Sequence, residues 1–438
     1  MTAILAIPIE FRLLGLAIIG AWLGSLLNLA SYRLAYTPRS ISPWSAPRSN
    51  APPRRWSDRL PVVGWFGLRR ESPLHGSGFW VRPMFIELLA GVGLAALYWW
   101  EVELQALLPE PLHVPVGLPA GAAMIHTLAT LHLVYISNAL LIGFMIVASL
   151  IDVDERLIPD EVTVPGTLLG LLLAAVAPWS LLPVMFREAI PGLGFGPAHL
   201  RFLTFTSTQA WPWPTELNRM PDVRSLAIGL ACVWLWCIGL MPRSWYSRHG
   251  WRRAWGLMWA RLRRDRLTRW SLAVGVATSV GVAMVWQISG SRWEALLSAL
   301  IGMATGGGLI WSVRVIGKAV LGREAMGFGD VTLTAMIGAF LGWQACLVVF
   351  FLAPIAGAAI GIAQLLARRK NEIRYGPFLC LAALVAIVRW AMIWESLGAV
   401  FALGWLVPAT MGACILLIAP LLFLVRFVGD VLRRVVPR

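Results

Sequence analysis

The chain has 438 residues, of which 58% are hydrophobic and 13% charged, with a formal net charge of +15. A soluble domain carries about 25% charged residues, so this composition excludes an ordinary globular enzyme and indicates a polytopic membrane protein. The basic residues sit between apolar runs, as flanks of membrane helices do, which argues against a nucleic-acid surface.

About eleven runs approach the roughly 20 apolar residues needed to cross hydrocarbon. They lie at 12–30, 84–100, 132–151, 162–178, 225–241, 271–289, 295–317, 331–343, 345–367, 377–394 and 400–425. The run at 331–343 is short, as a tilted or re-entrant segment would be. The first run carries a motif of its own and reads as a retained span. The expected fold class is therefore an all-α membrane bundle of about nine to eleven transmembrane helices.

Loop charge sets an orientation. Arg33, Arg39, Arg48, Arg54, Arg55, Arg59, Arg69, Arg70 and Arg82 fall in the Pro- and Ser-rich segment after the first run. Segment 243–269 holds nine arginines against Asp265, and Arg368-Arg369-Lys370 and Arg433-Arg434 are also basic. The loop at 101–131 has three glutamates and no Lys or Arg. Basic loops face the cytoplasm, so eleven spans put the N-terminus outside and the C-terminus inside. Segment 179–224, rich in Pro and Trp, then becomes an outer polar loop. Many of the 24 tryptophans, among them Trp99, Trp100, Trp211, Trp213, Trp343 and Trp394, flank spans as an interfacial belt. The five cysteines all lie in apolar stretches without a CxxC pair, and the histidines show no metal-binding pairing. No metal site is expected.

Two carboxylates close apolar runs. Asp152 stands in Ser149-Leu150-Ile151-Asp152-Val153-Asp154-Glu155-Arg156-Leu157-Ile158-Pro159-Asp160, and Asp330 in Met326-Gly327-Phe328-Gly329-Asp330-Val331. An acid at a hydrocarbon edge is costly and marks function by default. The loop charges place both on the cytoplasmic side, and a pair of aspartates can share a proton and hydrolyse a peptide. Asp330 opens a helix, where the dipole favours the anion, and Asp152 ends one, where the dipole disfavours it. The expected resting pair has Asp330 ionised and Asp152 protonated. Gly327 and Gly329 lack Cβ, so the active-site loop Gly327-Phe328-Gly329 can adopt positive φ and admit a substrate strand closely. A plain turn with Asp330 as helix N-cap is the competing structural reading.

The stretch Gly322–Leu333 resembles the second aspartate motif of type IV prepilin peptidases, the GxGD membrane aspartyl proteases of family A24. Ile151-Asp152 through Leu157-Ile158-Pro159-Asp160 resembles the first. Gly24-Ser25-Leu26-Leu27-Asn28 with Tyr32-Arg33-Leu34 is similar to the N-terminal signature. Arg82-Pro83 with Glu87 resembles the entry to the second span, and Tyr375-Gly376-Pro377-Phe378-Leu379 the late Phe-Gly-Pro-Phe-Leu segment.

The resemblance implies a GxGD-protease-like bundle with Asp152 and Asp330 catalytic. Gly24, Ser25, Asn28, Arg33, Glu87, Pro159, Asp160, Gly376 and Pro377 would support the motifs, with Asp160 as N-cap of the fourth span. Asp154, two residues from Asp152, would face another side of the helix. The regions implied are 1–100 with loop 33–82, a peptidase core at 130–395 with insertions at 179–224 and 243–269, and an extra span and basic tail at 396–438.

The expected activity is cleavage of prepilin or pseudopilin leaders at the cytoplasmic face of a bacterial inner membrane. Methylation of the new N-terminus with S-adenosylmethionine would accompany it. Membrane lipids are the other expected partner, and nucleic acid is not one. A peptidase without methyltransferase activity is the alternative, and a proton-coupled transporter a remote one.

Two departures stand out. Many family members carry two CxxC pairs in the first cytoplasmic loop, a zinc site. Here the aligned stretches are Ser42-Pro43-Trp44-Ser45 and Ser72-Pro73-Leu74-His75, which do not supply the four Cys or His ligands zinc wants. No zinc is expected there. A lysine common in the second motif is replaced by Thr332.

Overall fold

The computed structural model describes residues 7–39, 41–47, 50–109, 122–190, 194–206, 222–241, 264–322, 326–366 and 374–435, with single positions 253, 256 and 260. Arg48, Trp211, Trp213, most of the basic segment 243–269, Arg323-Glu324-Ala325 and Arg368-Arg369-Lys370 lie outside the described residues. So do the side chains of Arg433 and Arg434.

Helix α1 (Ile9–Arg33) packs along α2 (Val81–Tyr98), which continues into a π-helical turn at Trp99–Glu103. A Cβ on Gly24 would sit 2.7 Å from the Glu87 Cα. The two backbones therefore touch there, as small residues allow between membrane helices. Helices α3 (Ala122–Glu155) and α4 (Asp160–Val176) follow, joined by four residues. Arg156 enters that joint in the left-handed region at φ 61°, and Pro159 leaves it extended, lacking only an N–H that a helix start would not use.

Strands β1 (Pro183–Ile190) and β2 (Gly194–Phe202) form an antiparallel hairpin inside the segment read as a polar loop. The all-α expectation did not include it. Its open end carries buried Val184 and Phe202 and rests on the bundle.

Helices α5 (Val223–Leu240) and α6 (Arg266–Ile288) each start on an aspartate, Asp222 and Asp265, whose carboxylate accepts first-turn N–H groups. Helix α7 (Ser291–Leu321) stops at Gly322, left-handed at φ 70°. Helix α8 (Phe328–Leu366) is two arms hinged at Gly342, which has φ 83° and ψ 171°. In a straight helix residues 338 and 346 would stand about 12 Å apart. Instead, a Cβ on Gly338 would lie 2.9 Å from Cys346 Sγ, so the chain reverses and arms 328–341 and 343–366 pack antiparallel. The runs expected at 331–343 and 345–367 are these arms.

The run expected as one span at 377–394 is bent by 91° between α9 (Tyr375–Val388) and α10 (Trp390–Phe401). At the bend, the buried Trp390 indole donates to the Pro183 carbonyl at 2.9 Å and ties it to the strand hairpin. Trp394 stacks on Phe401 and is buried, so it is packing rather than belt. Helix α11 (Leu406–Val435) lies against α7.

Among the described residues, eight helices are long and apolar enough to cross a membrane, or nine with the bent pair counted as one span. Helix α4, 17 residues long, and the second arm of α8 make up the difference from eleven. The fold is an all-α polytopic membrane bundle with one small strand hairpin. Its largest core joins α3, α4, α8 and α9 through Ile151, Val162, Leu333 and Leu379, the first three of which lie at or near the two aspartate motifs in sequence.

Candidate active site

Asp152 is one turn from the end of α3 and Asp330 is in the first turn of α8, so both stand at helix ends. They are 8% and 9% exposed and close enough to repel electrostatically. Ile158, in the joint between α3 and α4, keys the site together. A Cβ on Gly329 would lie 2.7 Å from Ile158 Cβ and 2.9 Å from its carbonyl oxygen. On Gly376, a Cβ would lie 2.9 Å from Ile158 Cδ1 and 2.8 Å from Asp152 Oδ2. Three sequence-distant motifs thus meet within van der Waals reach.

Each carboxylate has a backbone setting. Gly327 N–H donates to Asp330 Oδ2 at 3.2 Å, so Asp330 reaches back over the helix start and is not itself the N-cap. Arg374 donates to the Asp152 carbonyl at 3.0 Å and sets a cation beside that residue.

Neither Gly327 nor Gly329 has a positive φ, contrary to the expectation from glycine's freedom. Gly329 is needed for close approach to Ile158, and beside Gly327 a Cβ would meet only Asp330 Oδ2 at 3.6 Å and the Gly329 nitrogen at 3.9 Å. Phe328, between them, packs against the core and under the Arg314 guanidinium.

Asp160 is not the N-cap of α4. Pro159 holds that position, and Asp160 is the first helical residue, its side chain near Thr332 of α8. Asp154 is turned away from the dyad and pairs with Arg82 at 2.6 Å and Arg39 at 3.7 Å. Glu155 accepts the N–H groups of Tyr36 and Thr37 at 2.5 and 2.9 Å. The acids following Asp152 therefore fasten the first loop to α3.

The N-terminal signature braces that loop. Ser25 Oγ donates to Glu87 at 2.6 Å, Asn28 donates to the Pro83 carbonyl at 2.9 Å, and Glu87 accepts the Val62 N–H at 2.6 Å. Arg33 is exposed in the last turn of α1, and Pro377 is the third residue of α9, where it breaks no helical bond.

The loop's two serine stretches are joined by an ion pair. Arg54 makes two bonds to the fully buried Glu71, at 2.9 and 3.0 Å, and donates to the Ser42 and Ser45 carbonyls at 2.8 and 2.7 Å. His75 lies 3.5 Å from the same carboxylate. The residues do not fit zinc: no thiolate is present, and a guanidinium occupies the space between the stretches. A second pair joins Asp58 to Arg70. Burial pushes the Asp58 carboxyl up, but the bonds from Arg70 and the Arg55 N–H outweigh it and hold it below the ordinary aspartate value. This contact stabilises the loop above that ordinary range and is lost only as pH falls through the depressed value.

Breaking a buried pair by removing one partner costs about 3–5 kcal/mol. Glu71→Ala is therefore expected to open segment 42–75 to limited proteolysis at pH 7. A metal chelator applied to the unaltered protein is expected to leave the same digest unchanged.

Sequence reasoning missed Ile158, Arg374 and Arg314. Arg314 carried a signal, a cation inside an apolar run. Ile158 stands inside the first aspartate motif, but as one aliphatic residue it suggested no role of its own.

Fold and site together define a membrane protein with a paired-aspartate centre at one end of a helical bundle. Residues 139–206 and 260–362 match the type IV leader peptidase family, and 18–101 match the bacterial peptidase A24 N-terminal domain. The two matches follow in order and cover more than half of the chain, which belongs to the type IV leader peptidase family. Relatives include prepilin leader peptidase/N-methyltransferases of Aeromonas hydrophila, 38% identical over 97 residues, and of Stutzerimonas stutzeri and Pseudomonas aeruginosa, each 37% identical over 99. Each match covers 22% of this chain and 33%, 34% and 34% of the respective relative, so the aligned part spans about a third of those proteins. No solved structure matches the chain.

Proposed function

We propose that this protein is a peptidase that removes the leader of type IV prepilins or pseudopilins at the cytoplasmic face of a bacterial inner membrane. The observation that carries this reading is the convergence of Asp152 and Asp330, through Ile158, on Gly329 and Gly376 at one end of the bundle. The basic loops orient that end to the cytoplasm. A transporter relay would place acids near the midplane rather than at helix ends.

Asp330, in its helix start and bonded by the Gly327 N–H, is the ionised partner. It takes a proton from a water, whose oxygen attacks the scissile carbonyl carbon. Asp152, at a helix end, holds the shared proton and donates it to the carbonyl oxygen. When the tetrahedral intermediate collapses, the C–N bond breaks, the amine receives the proton held by Asp330, and Asp152 recovers its own. The two acids titrate as a coupled pair.

Methylation of the new N-terminus is the second activity proposed, with S-adenosylmethionine as methyl donor. No residue is assigned to the donor: the small cavity at Gly306, Thr334 and Cys346 and the groove at Trp22, Leu26 and Trp44 hold no acid to meet a sulfonium or a ribose. Membrane lipid is the second partner, and no nucleic-acid role is proposed.

The test is co-expression with a candidate prepilin and intact mass of the substrate. Leader loss plus about one methyl's mass is expected. Leader loss alone reduces the protein to a peptidase, and no cleavage of any of several prepilins contradicts the reading.

A further inference from the structure

A helix C-terminus disfavours anions through its dipole, yet Asp152, Asp154 and Glu155 all fall in the last turn of α3. The first loop compensates the last two: Arg82 and Arg39 pair with Asp154, and the Tyr36 and Thr37 N–H groups bond Glu155. Asp152 is held from much later in the chain. Arg374, the extended residue just before α9, donates from Nη1 to the Asp152 carbonyl oxygen at 3.0 Å.

That oxygen also accepts the Arg156 N–H at 3.0 Å, so the guanidinium closes onto the bond that ends α3. Two residues further along, Gly376 lies against the Asp152 carboxylate, where a Cβ would stand 2.8 Å from Oδ2. The start of α9 therefore meets Asp152 twice, at its main chain through Arg374 and at its side chain through Gly376. The choice of acceptor matters chemically. A guanidinium paired with the carboxylate itself would favour the ionised form and oppose the proton-holding role proposed for Asp152. Bonded to the carbonyl, it fixes position and leaves the carboxylate to the reaction.

We propose that Arg374 is a positioning residue: it pins the end of α3 to the start of α9 and so sets where Asp152 stands opposite Asp330. The kinetic consequence rests on the peptidase reading, but the tether is measurable without activity.

Amide hydrogen exchange, read by mass spectrometry over residues 150–158 of the purified full chain in detergent, tests the tether. Methionine has no donor, so Arg374→Met is expected to speed exchange in that stretch about fivefold or more, with Arg374→Lys near the wild type. Unchanged exchange in Arg374→Met, or lysine no better than methionine, overturns the tether.

Prepilin cleavage tests the positioning. A misplaced reacting group costs rate rather than binding, so Arg374→Met is expected to lower kcat by about 10- to 100-fold with KM within about twofold, and Arg374→Lys to recover most of it. Faster exchange with an unchanged kcat, or a loss carried by KM alone, overturns the positioning role. If Arg374→Met does not accumulate, Arg374→Gln, shorter and neutral, takes its place with the same expectations. A wild type that cleaves nothing sinks the peptidase reading and leaves the exchange result to decide the tether.

Discussion

Asp152→Asn and Asp330→Asn are each expected to lower leader cleavage by at least about 10³-fold, whereas Asp154→Asn retains more than about a tenth of the wild-type rate. An amide can neither hold the shared proton nor accept one from water, so one substitution disables both halves of the exchange. Residues that act as a unit are not additive, so the double variant should be no slower than either single one. Asp154 is the control the structure provides. It lies two residues from Asp152, but its carboxylate is engaged by Arg82 and Arg39. Losing that pairing loosens the first loop without removing a reacting group. Equal loss in all three variants would show that the end of α3, rather than one carboxylate on it, governs activity.

The second large effect is expected from a single methyl group. Gly376→Ala places a Cβ 2.8 Å from Asp152 Oδ2 and 2.9 Å from Ile158 Cδ1. Neither neighbour can give freely: the carboxylate is the proposed proton donor, and Ile158 is wedged against Gly329 on its other side. A displacement of about 1 Å at a reacting group costs on the order of 100-fold in rate. Gly376→Ala should therefore lower kcat by about 100-fold, with accumulation in the membrane close to wild type. Gly327→Ala is the comparison, since its Cβ would meet only an ordinary 3.6 Å contact. Steady-state cleavage of one prepilin by both variants, normalised to membrane protein, measures the difference. Similar losses for the two would contradict the close packing at Gly376.

Much of this was legible in the chain because the signals are strong and local. Apolar runs of spanning length located the helices, and acids at the ends of such runs stood out against a composition poor in charge. What the sequence hid was contact between distant elements. The 91° bend at Arg389 interrupts a run that is apolar but for that residue, and the bond that ties it down, Trp390 to Pro183, joins residues about 200 apart. The strand hairpin sat in a segment whose prolines and tryptophans suggested only a loop.

Asp160 looked like a cap because acids favour helix starts, yet Pro159 took that place and left Asp160 as the first helical residue. Gly329 was expected to matter through its φ and matters through its missing Cβ. The first loop lacked the residues of a zinc site, and what fills the gap, Arg54 on Glu71, is visible only once the two serine stretches are brought together.

The most direct test of the central claim is cleavage by the purified protein in proteoliposomes, away from any host peptidase. The substrate would be a prepilin carrying its leader and apolar segment, read by intact mass. The paired-aspartate account predicts leader loss with the wild type and full-length substrate with the Asp152→Asn/Asp330→Asn double variant. Leader loss by that double variant, at a rate near the wild type's, would contradict it.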